Sequence, residues 1–198
     1  ARIERYLQLA AQDNMWIVQP STPANHFHML RTQAYKRPRK PLIAFTPKQL
    51  LRLSAASSHI EEFTSGSFQP VIGDTTITDP ASVTHVLLCS GRLYYDLAKE
   101  REHRGDTSTA IIRLEQLYPL PEAELAEVLA QYPNASVTWV QDEPRNQGAW
   151  PHLALNLFPS LGRPVRVVSR PESATTAAGR ASLHKEQAAT LIAQAFAG

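Results

Sequence analysis

The sequence predicts an α/β fold whose centre is a mostly parallel β-sheet covered by helices on both faces. Two observations carry this prediction. From Val83 onward, apolar runs alternate with segments of helical periodicity, and those runs are continuous instead of switching between apolar and polar residues. Strands that are buried on both faces show such continuous runs. The composition, 43% hydrophobic and 19% charged residues, is that of an ordinary globular protein.

The first 60 residues are predicted to form two short strands and their helices. Residues 2–12 carry apolar side chains at helical spacing, and Met15–Val18 and Leu42–Phe45 are apolar runs typical of buried strands. Between the strands, hydroxyl residues followed by Pro23 mark a helix start. One face of that helix carries Phe27, Leu30 and Ala34, and Pro47 opens a further short helix.

Residues 54–82 differ in character, because they are rich in serine and threonine and contain Gly66, Pro70, Gly73 and Pro80. Such a segment is typical of a linker. A strand near residues 68–72 is the one regular element that its pattern indicates.

A regular alternation begins at Val83 and continues to the last helix. Each apolar run is followed by a segment with helical periodicity, as expected of repeated β–α units. The predicted strands are Val83–Cys89, Thr109–Leu114, Val137–Val140 and Val165–Val168, and the predicted helices are Leu93–Arg101, Pro121–Leu129, Ala149–Leu157 and His184–Phe196.

Charge and cysteine content exclude several function classes. The net charge is +2, and the densest basic run, Lys36–Lys40, is interrupted by Pro38, so we expect no nucleic-acid partner. The single cysteine, Cys89, excludes an internal disulfide and a cysteine zinc site, and its apolar neighbours predict a buried thiol. No apolar run reaches the roughly 20 residues that span a bilayer, and no secretory signal opens the chain. A cytoplasmic protein without a membrane partner is therefore expected.

Two histidines, His26 and His28, stand near the start of the second predicted helix. Side chains two positions apart on a helix point about 200° from each other, so only one of them can face a given site. A neutral imidazole near pH 7 can donate a hydrogen bond to an oxyanion or shuttle a proton. Spacing alone favours two packing or surface histidines.

Four motifs together resemble one known family. They are QPSTPANHFHMLR (19–31), PLIAFTPKQLLR (41–52), LCSGRLYYDL (88–97) and QDEPRNQGAW (141–150). The chain resembles the decarboxylating first component of 2-oxoglutarate dehydrogenase, a thiamine diphosphate enzyme, over nearly its whole length. The resemblance implies that residues 1–65 are the C-terminal piece of a pyrimidine-binding domain and that residues 66–198 are a three-layer, transketolase C-terminal-like domain. It also implies that the chain is the last part of a longer protein.

The resemblance assigns the candidate site to the helix that follows Ser21. Its histidine motif matches His28 and not His26, which implies that His28 is catalytic and binds substrate. The implied role is a hydrogen bond to the carboxylate of the 2-oxo acid or to the alkoxide that forms at its keto carbon. Thr22 and Asn25 are implied to bind substrate or to orient His28. Leu53 departs from the family pattern, which has a polar residue there.

The cofactors implied by the resemblance are thiamine diphosphate and Mg²⁺. The familiar G-D-G motif is absent, because Gly73-Asp74 is followed by Thr75. The resemblance therefore implies that residues outside this chain bind both groups, and that these 198 residues are inactive by themselves. No histidine lies at metal-ligand spacing, so no protein metal site is expected.

Two loops remain open to more than one interpretation. Ser90-Gly91 follows a strand and precedes a helix, where open α/β sheets bind ligands, although Gly91 also suits a plain tight turn. In Gln141–Trp150, the acids Asp142 and Glu143 are suited to a hydrogen-bonded cluster with Arg145, Asn146 and Gln147. The resemblance implies a structural or dimer-interface role for this loop, and a catalytic role is the alternative.

The resemblance further implies a homodimer that works with a lipoyl-bearing succinyltransferase and a dihydrolipoyl dehydrogenase in the citric acid cycle. Three alternatives stay open at this point. One is action on 2-oxoadipate, and another is a decarboxylase or carboligase activity on 2-oxoglutarate. The third is a non-catalytic domain that dimerises or binds a regulatory nucleotide or acyl-CoA.

Overall fold

The structure is a computed structural model that describes residues 2–197. Its helices and strands follow the predicted order, with short 3₁₀ turns in the connections. The helices are α1 Ile3–Leu9, α2 Pro23–Tyr35, α3 Ile60–Thr64, α4 Leu93–Arg104, α5 Glu122–Ala130, α6 Trp150–Asn156 and α7 Ala181–Ala195. The strands are β1 Trp16–Val18, β2 Leu42–Ala44, β3 Val71–Ile72, β4 His85–Cys89, β5 Thr109–Leu114, β6 Gln116–Tyr118, β7 Ser136–Pro144 and β8 Val165–Arg170.

The larger sheet within residues 2–197 has five strands in the order β3-β5-β4-β7-β8. Strand β4 pairs in parallel with both β5 and β7, and β7 pairs in parallel with β8. Only β3, at the edge, runs antiparallel to its neighbour in this sheet. The predicted α/β fold with a mostly parallel sheet is therefore confirmed.

Successive residues of the central strands enter different hydrophobic cores. Val86 and Leu88 pack with side chains of α1, α5 and α6, whereas Leu87 and Cys89 pack with side chains of α4 and α7. Since alternate side chains of a strand point to opposite faces, this division means that helices cover both faces of the sheet. The domain thus has the expected three layers, and Cys89 is fully buried as predicted.

A second sheet joins the two halves of the chain. Strand β1 lies in its middle, parallel to β2 on one side and antiparallel to β6 on the other. Strand β6 was not predicted, because its three residues alternate in polarity and pair with a strand about 100 positions away. Its antiparallel pairing places the end of β5 next to the start of α2.

Helix α2 turns its polar residues inward and part of its apolar face outward. Asn25, His28 and Met29 are buried, whereas Phe27 and Leu30 are 41% and 52% exposed. The inward orientation follows from hydrogen-bond partners that lie beneath the helix, since buried polar groups require such partners. The predicted Phe27–Leu30 face does not contribute to the core of residues 2–197.

The serine-rich segment is less irregular than the sequence indicated. It contains α3 and β3 in addition to 3₁₀ turns, and it crosses the surface between the two halves. In the C-terminal half of this segment, Asp74 forms a buried ion pair with Arg101 of α4. Asp74 also accepts a hydrogen bond from the backbone N–H of Ile111 at 2.8 Å.

Candidate functional site

A polar cavity of about 520 Å³ lies between α2, the segment after it and the start of α4. All three sequence-predicted site residues, Thr22, Asn25 and His28, line this cavity. His26 does not line it, in agreement with the argument that only one of the two histidines faces a site. The cavity is also lined by Glu62, Gln69, Tyr94, Tyr95 and Arg113.

Helix α2 carries the three predicted site residues at or near its first turn, and that turn is fixed by local contacts. Oγ1 of Thr22 caps the helix by accepting a hydrogen bond from the backbone N–H of Asn25 at 3.2 Å, and Pro23 occupies the first helical position. A buried Met29 anchors the same helix against Trp16 and Val18 of β1. The helix therefore begins at a fixed place, and His28 follows one and a half turns later.

His28 is 3% exposed and uses one ring nitrogen in a hydrogen bond. Its Nε2 lies 2.7 Å from the backbone carbonyl oxygen of Glu62 in α3. A carbonyl only accepts, so Nε2 carries the proton, and in the neutral ring Nδ1 is then an acceptor. Nδ1 is buried without a hydrogen-bond partner among the described residues.

This tautomer determines what His28 can do chemically. The neutral ring can accept a proton or a hydrogen bond at Nδ1 but cannot donate one there. Donation to a carboxylate or alkoxide, the role implied by the resemblance, requires the ring to be protonated at both nitrogens. The carbonyl of Glu62 would then hold the second N–H and stabilise the imidazolium.

Asn25 and Thr22 line the cavity but use their polar atoms within the protein. Nδ2 of Asn25 donates to Oε2 of Glu115 and to the carbonyl oxygen of Gln69, both at 3.0 Å. Its Oδ1 accepts from the backbone N–H of Gln69 at 2.8 Å. Together with the cap made by Thr22, these bonds fix the helix start, so both residues are suited to orient His28. Their binding of substrate stays a prediction.

Sequence reasoning missed the residues of the opposite wall. The guanidinium of Arg113 lies 4.2 Å from the ring centroid of Tyr94 and donates to Oγ of Ser21 at 3.1 Å. Burial raises the pKa of Tyr95 to about 12, so its hydroxyl remains protonated and donates to the carbonyl oxygen of Ser21 at 2.7 Å. Tyr94 and Tyr95 lie in the motif LCSGRLYYDL (88–97), but no local pattern shows that they and Arg113 face α2.

A second, shallower crevice of about 350 Å³ lies at the carboxyl ends of β4 and β7. The neighbours of β4 on its two sides are β5 and β7, so the chain reverses its strand order here, where open α/β sheets bind ligands. Arg92 lines it and pairs with Asp142 at 2.6 Å. Burial and the charge of Asp142 raise the pKa of Glu143, another lining residue.

The turn beside this crevice explains Gly91. Its φ is +60°, and a Cβ there would lie 2.6 Å from Nε2 of Gln19. Both facts require glycine, so Ser90-Gly91 forms the tight turn that was one interpretation of this loop. The same turn also lies at the edge of the crevice.

Hydrogen bonds centred on Gln141 hold the loop at the end of β7, whereas Asp142 pairs with Arg92 and the amides of Asn146 and Gln147 donate to Ser173. Nε2 of Gln141 donates to the carbonyl oxygens of Gln147 at 2.7 Å and Pro144 at 3.1 Å. Its Oε1 accepts from Nε1 of Trp139 at 3.0 Å and from the backbone N–H of Trp150 at 2.9 Å. This amide therefore closes the loop on itself, which supports a structural role.

The residues present do not fit a magnesium diphosphate site. Among residues 2–197 there is no group of three or more His, Cys, Asp or Glu side chains that could hold a metal ion. Asp74 of the Gly73-Asp74 pair is engaged by Arg101 and by Thr76, so its carboxylate is not available to a metal. In the same part of the chain, no helix is long and apolar enough to cross a membrane.

Two family models match the chain. Residues 57–196 match the model described as 2-oxoglutarate dehydrogenase C-terminal, and residues 1–54 match the transketolase pyrimidine-binding domain. The first match alone covers more than half of the chain. The chain belongs to the 2-oxoglutarate dehydrogenase family. The predicted boundary near residue 65 stays a prediction beside these two ranges.

Curated members of the 2-oxoglutarate dehydrogenase family are similar over the whole chain. The 2-oxoglutarate dehydrogenase E1/E2 component of Corynebacterium glutamicum is 49% identical over 99% of the chain, which covers 16% of that relative. The E1 component of Azotobacter vinelandii is 46% identical over 99% of the chain, which covers 21% of it. A protein of Mycobacterium sp. (strain JLS) called multifunctional 2-oxoglutarate metabolism enzyme is 42% identical over 99% of the chain. The chain thus spans about a fifth or less of the length of these relatives.

Proposed function

We propose that this chain is the C-terminal portion of a thiamine diphosphate-dependent 2-oxoglutarate dehydrogenase that acts in the citric acid cycle. The parent reaction is the oxidative decarboxylation of 2-oxoglutarate with transfer of the succinyl group to a lipoyl group. The observation that carries the proposal is the 49% identity to a 2-oxoglutarate dehydrogenase component across 99% of the chain. His28, in the motif that first indicated the family, lines a polar cavity as an active-site residue would.

The residues of this chain contribute positioning and proton chemistry. Helix α2 presents His28 with Nε2–H held by the Glu62 carbonyl and with Nδ1 unpartnered among the described residues. In the protonated state, Nδ1–H of His28 binds a negatively charged oxygen of the substrate; in the neutral state, Nδ1 accepts a proton. Thr22 and Asn25 orient the helix and contribute to substrate binding.

Thiamine diphosphate supplies the electron sink for carbon dioxide loss when it is bound, with Mg²⁺ at its diphosphate. The transketolase pyrimidine-binding match supports dependence on this cofactor. Residues of the parent protein outside this chain are proposed to hold both groups, since the described residues do not fit them. This chain alone is therefore expected to be inactive.

The proposed assembly is a cytoplasmic homodimer that works with a lipoyl-bearing succinyltransferase and a dihydrolipoyl dehydrogenase. The name of the Corynebacterium relative joins the E1 and E2 components, which supports close association of these two activities. Exposed large apolar side chains support further packing partners for the first part of the chain. Among the described residues these are Tyr6, Leu9, Phe27, Leu30, Tyr35, Leu51, Leu53 and Ile60, with Leu155 outside that part.

The choice among related substrates is tested on the complete parent protein. With thiamine diphosphate, Mg²⁺ and the partner components, we expect turnover of 2-oxoglutarate to exceed turnover of 2-oxoadipate by a wide margin. A preference for 2-oxoadipate would replace the proposed substrate. Product analysis without partner components, with and without glyoxylate, tests the decarboxylase and carboligase alternatives, which the multifunctional Mycobacterium relative keeps open.

A second candidate function is regulatory binding of a nucleotide or an acyl-CoA in the crevice at the ends of β4 and β7. Its position at the strand-order reversal and the guanidinium of Arg92 on its wall support this function. Calorimetric titration of AMP and of acetyl-CoA into the complete protein tests it. Binding that is lost in Arg92→Gln but kept in the surface variant Arg104→Gln is the supporting result, and no heat with either ligand removes the candidate.

A purely structural dimerisation domain is the remaining alternative. The hydrogen bonds of Gln141 support it, because a single buried amide holds the loop after β7 to its neighbouring residues. Sedimentation analysis of the complete protein tests it, and a strict monomer at high concentration would eliminate this alternative and the homodimer together.

A further inference from the structure

Ser21, the residue before the cap of α2, is held at every one of its polar atoms by a different side chain. Its backbone N–H donates to Oε2 of Glu115 at 2.7 Å. Its carbonyl oxygen accepts from the hydroxyl of Tyr95 at 2.7 Å, and its Oγ accepts from Nη1 of Arg113 at 3.1 Å. The three side chains belong to α4 and to the end of β5, so the second half of the chain fixes the start of the helix that carries His28.

Glu115 is the centre of this arrangement. It is fully buried, and the oxygen that binds Ser21 also accepts from Nδ2 of Asn25 at 3.0 Å. Its backbone carbonyl oxygen accepts from the N–H of Gln19 at 2.7 Å, so the residue binds the chain both before and within the first turn of α2. Burial raises the pKa of Glu115, and its Oε1 has no partner among the described residues.

A buried carboxyl group is costly, because transfer from water must be compensated by hydrogen bonds. Both hydrogen bonds of the Glu115 side chain go to the start of α2, from the N–H of Ser21 and from Nδ2 of Asn25. No ion pair within 4.0 Å links it to Arg113 or to another cation among the described residues. The carboxyl group is therefore placed to define the helix start, and the charge of Arg113 acts on it without a direct ion pair.

The start of α2 determines where the imidazole of His28 lies. An α-helix moves as a rigid element with a rise of about 1.5 Å per residue, so His28 lies about 8 Å along the axis from Pro23. At that distance, a tilt of about 7° at the first turn displaces the ring by about 1 Å. Reactions in enzymes lose about 100-fold in rate when a reacting group is misplaced by about 1 Å.

We infer that Glu115, assisted by Tyr95 and Arg113, is a positioning residue for His28, and that the transketolase C-terminal-like domain takes part in catalysis through this contact. The inference rests on the proposed function for its catalytic consequence. Glu115 touches no reacting atom in this arrangement. Its effect passes through Ser21 and Asn25 to the axis of α2.

The test is a set of Glu115 variants of the complete parent enzyme. In Glu115→Ala we expect kcat for 2-oxoglutarate to fall by about 100-fold, with KM changed far less, because the misplaced imidazole affects the reacting state more than binding. Glu115→Gln retains a carbonyl oxygen for Ser21 and Asn25, so it should retain most of the activity. Tyr95→Phe removes one of the three bonds and should give a smaller loss.

Asp74→Asn is the matched control for a merely structural role. Asp74 is also a buried acid of the second half, but its partners are Arg101, Thr76 and Ile111, and none of them belongs to α2. It should lower the thermal midpoint while kcat below the transition stays at the wild-type value. A kcat loss of the same size in both variants, at equal folded fraction, would overturn the inference.

A crystal structure of Glu115→Ala separates this inference from the proposed function. We expect the first turn of α2 and His28 to be displaced relative to the wild-type enzyme while the five-stranded sheet superimposes. An unmoved α2 would overturn the positioning role whatever the substrate is. Conversely, a wild-type enzyme that does not turn over 2-oxoglutarate would refute the proposed function without affecting this structural comparison.

Discussion

The carbonyl oxygen of Glu62 lies 2.7 Å from Nε2 of His28, and this contact decides which nitrogen of the imidazole carries the proton. Glu62 belongs to α3, in a segment whose composition indicated only a linker. The segment therefore has a role at the candidate site, because its backbone fixes the tautomer and ring orientation of the residue proposed to act on the substrate.

The tautomer itself is measurable. We expect the neutral ring of His28 to be in the Nε2–H form, because the Glu62 carbonyl can only accept a hydrogen bond. Nitrogen-15 NMR of histidine-labelled protein reports the protonation of each ring nitrogen, and the signal lost in His28→Gln identifies the residue. A neutral ring protonated at Nδ1 would contradict the assignment.

The buried pair of Asp74 and Arg101 should contribute strongly to stability. The carboxylate also accepts from the backbone N–H of Thr76 at 3.0 Å and from that of Ile111 at 2.8 Å. Asp74→Asn leaves the Arg101 guanidinium buried without its charge partner, and breaking such pairs costs about 3–5 kcal/mol. Urea unfolding of the wild-type and variant chains measures the change, and a loss below about 1 kcal/mol would show that the pair is unimportant.

The same carboxylate predicts an acid dependence of stability. Burial raises the pKa of Asp74, but its hydrogen bonds with Arg101, Thr76 and Ile111 outweigh this effect and hold the pKa below its ordinary value of 3.8. A lowered carboxyl pKa contributes stability that is present above the unfolded-state value and is lost as pH falls through the folded-state value. The stability difference between wild type and Asp74→Asn should therefore be constant near neutral pH and shrink below about pH 4. A difference that is independent of pH down to pH 2 would contradict this origin.

Gln141 should be the most sensitive residue of the loop after β7. Its amide bonds with five partners, including Nε1 of Trp139 and the backbone N–H of Trp150. Gln141→Ala leaves several buried groups unpaired, each at a cost of about 1–3 kcal/mol, so we expect a loss of about 3 kcal/mol or more. The exposed Gln8→Ala in α1 is the control and should change the free energy of unfolding by less than about 0.5 kcal/mol. Equal effects of the two substitutions would show that the cluster is not structural.

Much of the fold was predictable because it depends on local signals. Strand β5 has the predicted bounds, Thr109–Leu114, since a continuous apolar run between polar segments leaves little ambiguity. Strand β7 continues to Pro144, past its predicted end at Val140, because Pro144 pairs with Arg170 of β8, a partner distant in the sequence. Strand β6 was missed for the same reason, since its partner β1 lies about 100 residues earlier.

The candidate site likewise contains residues that a local motif predicts and residues that only the tertiary structure reveals. A short motif on one helix identifies His28, so sequence alone predicted it, and the structure brings it together with Thr22 and Asn25. Arg113 lies near the end of β5 and Glu115 follows that strand, and this sequence resembles that of any buried strand with a charged end. Their importance depends on the pairing of β1 with β6, which no local pattern encodes.

The most direct test of this account is the turnover of 2-oxoglutarate by the complete parent enzyme carrying His28→Ala. Removal of a group that binds the reacting oxygen or transfers its proton lowers the rate by about 100-fold to 10,000-fold. We predict a kcat loss in that range with thiamine diphosphate affinity nearly unchanged. His26 lies two residues earlier on another side of the same helix, so His26→Ala should keep wild-type turnover. Wild-type turnover in His28→Ala would contradict the account.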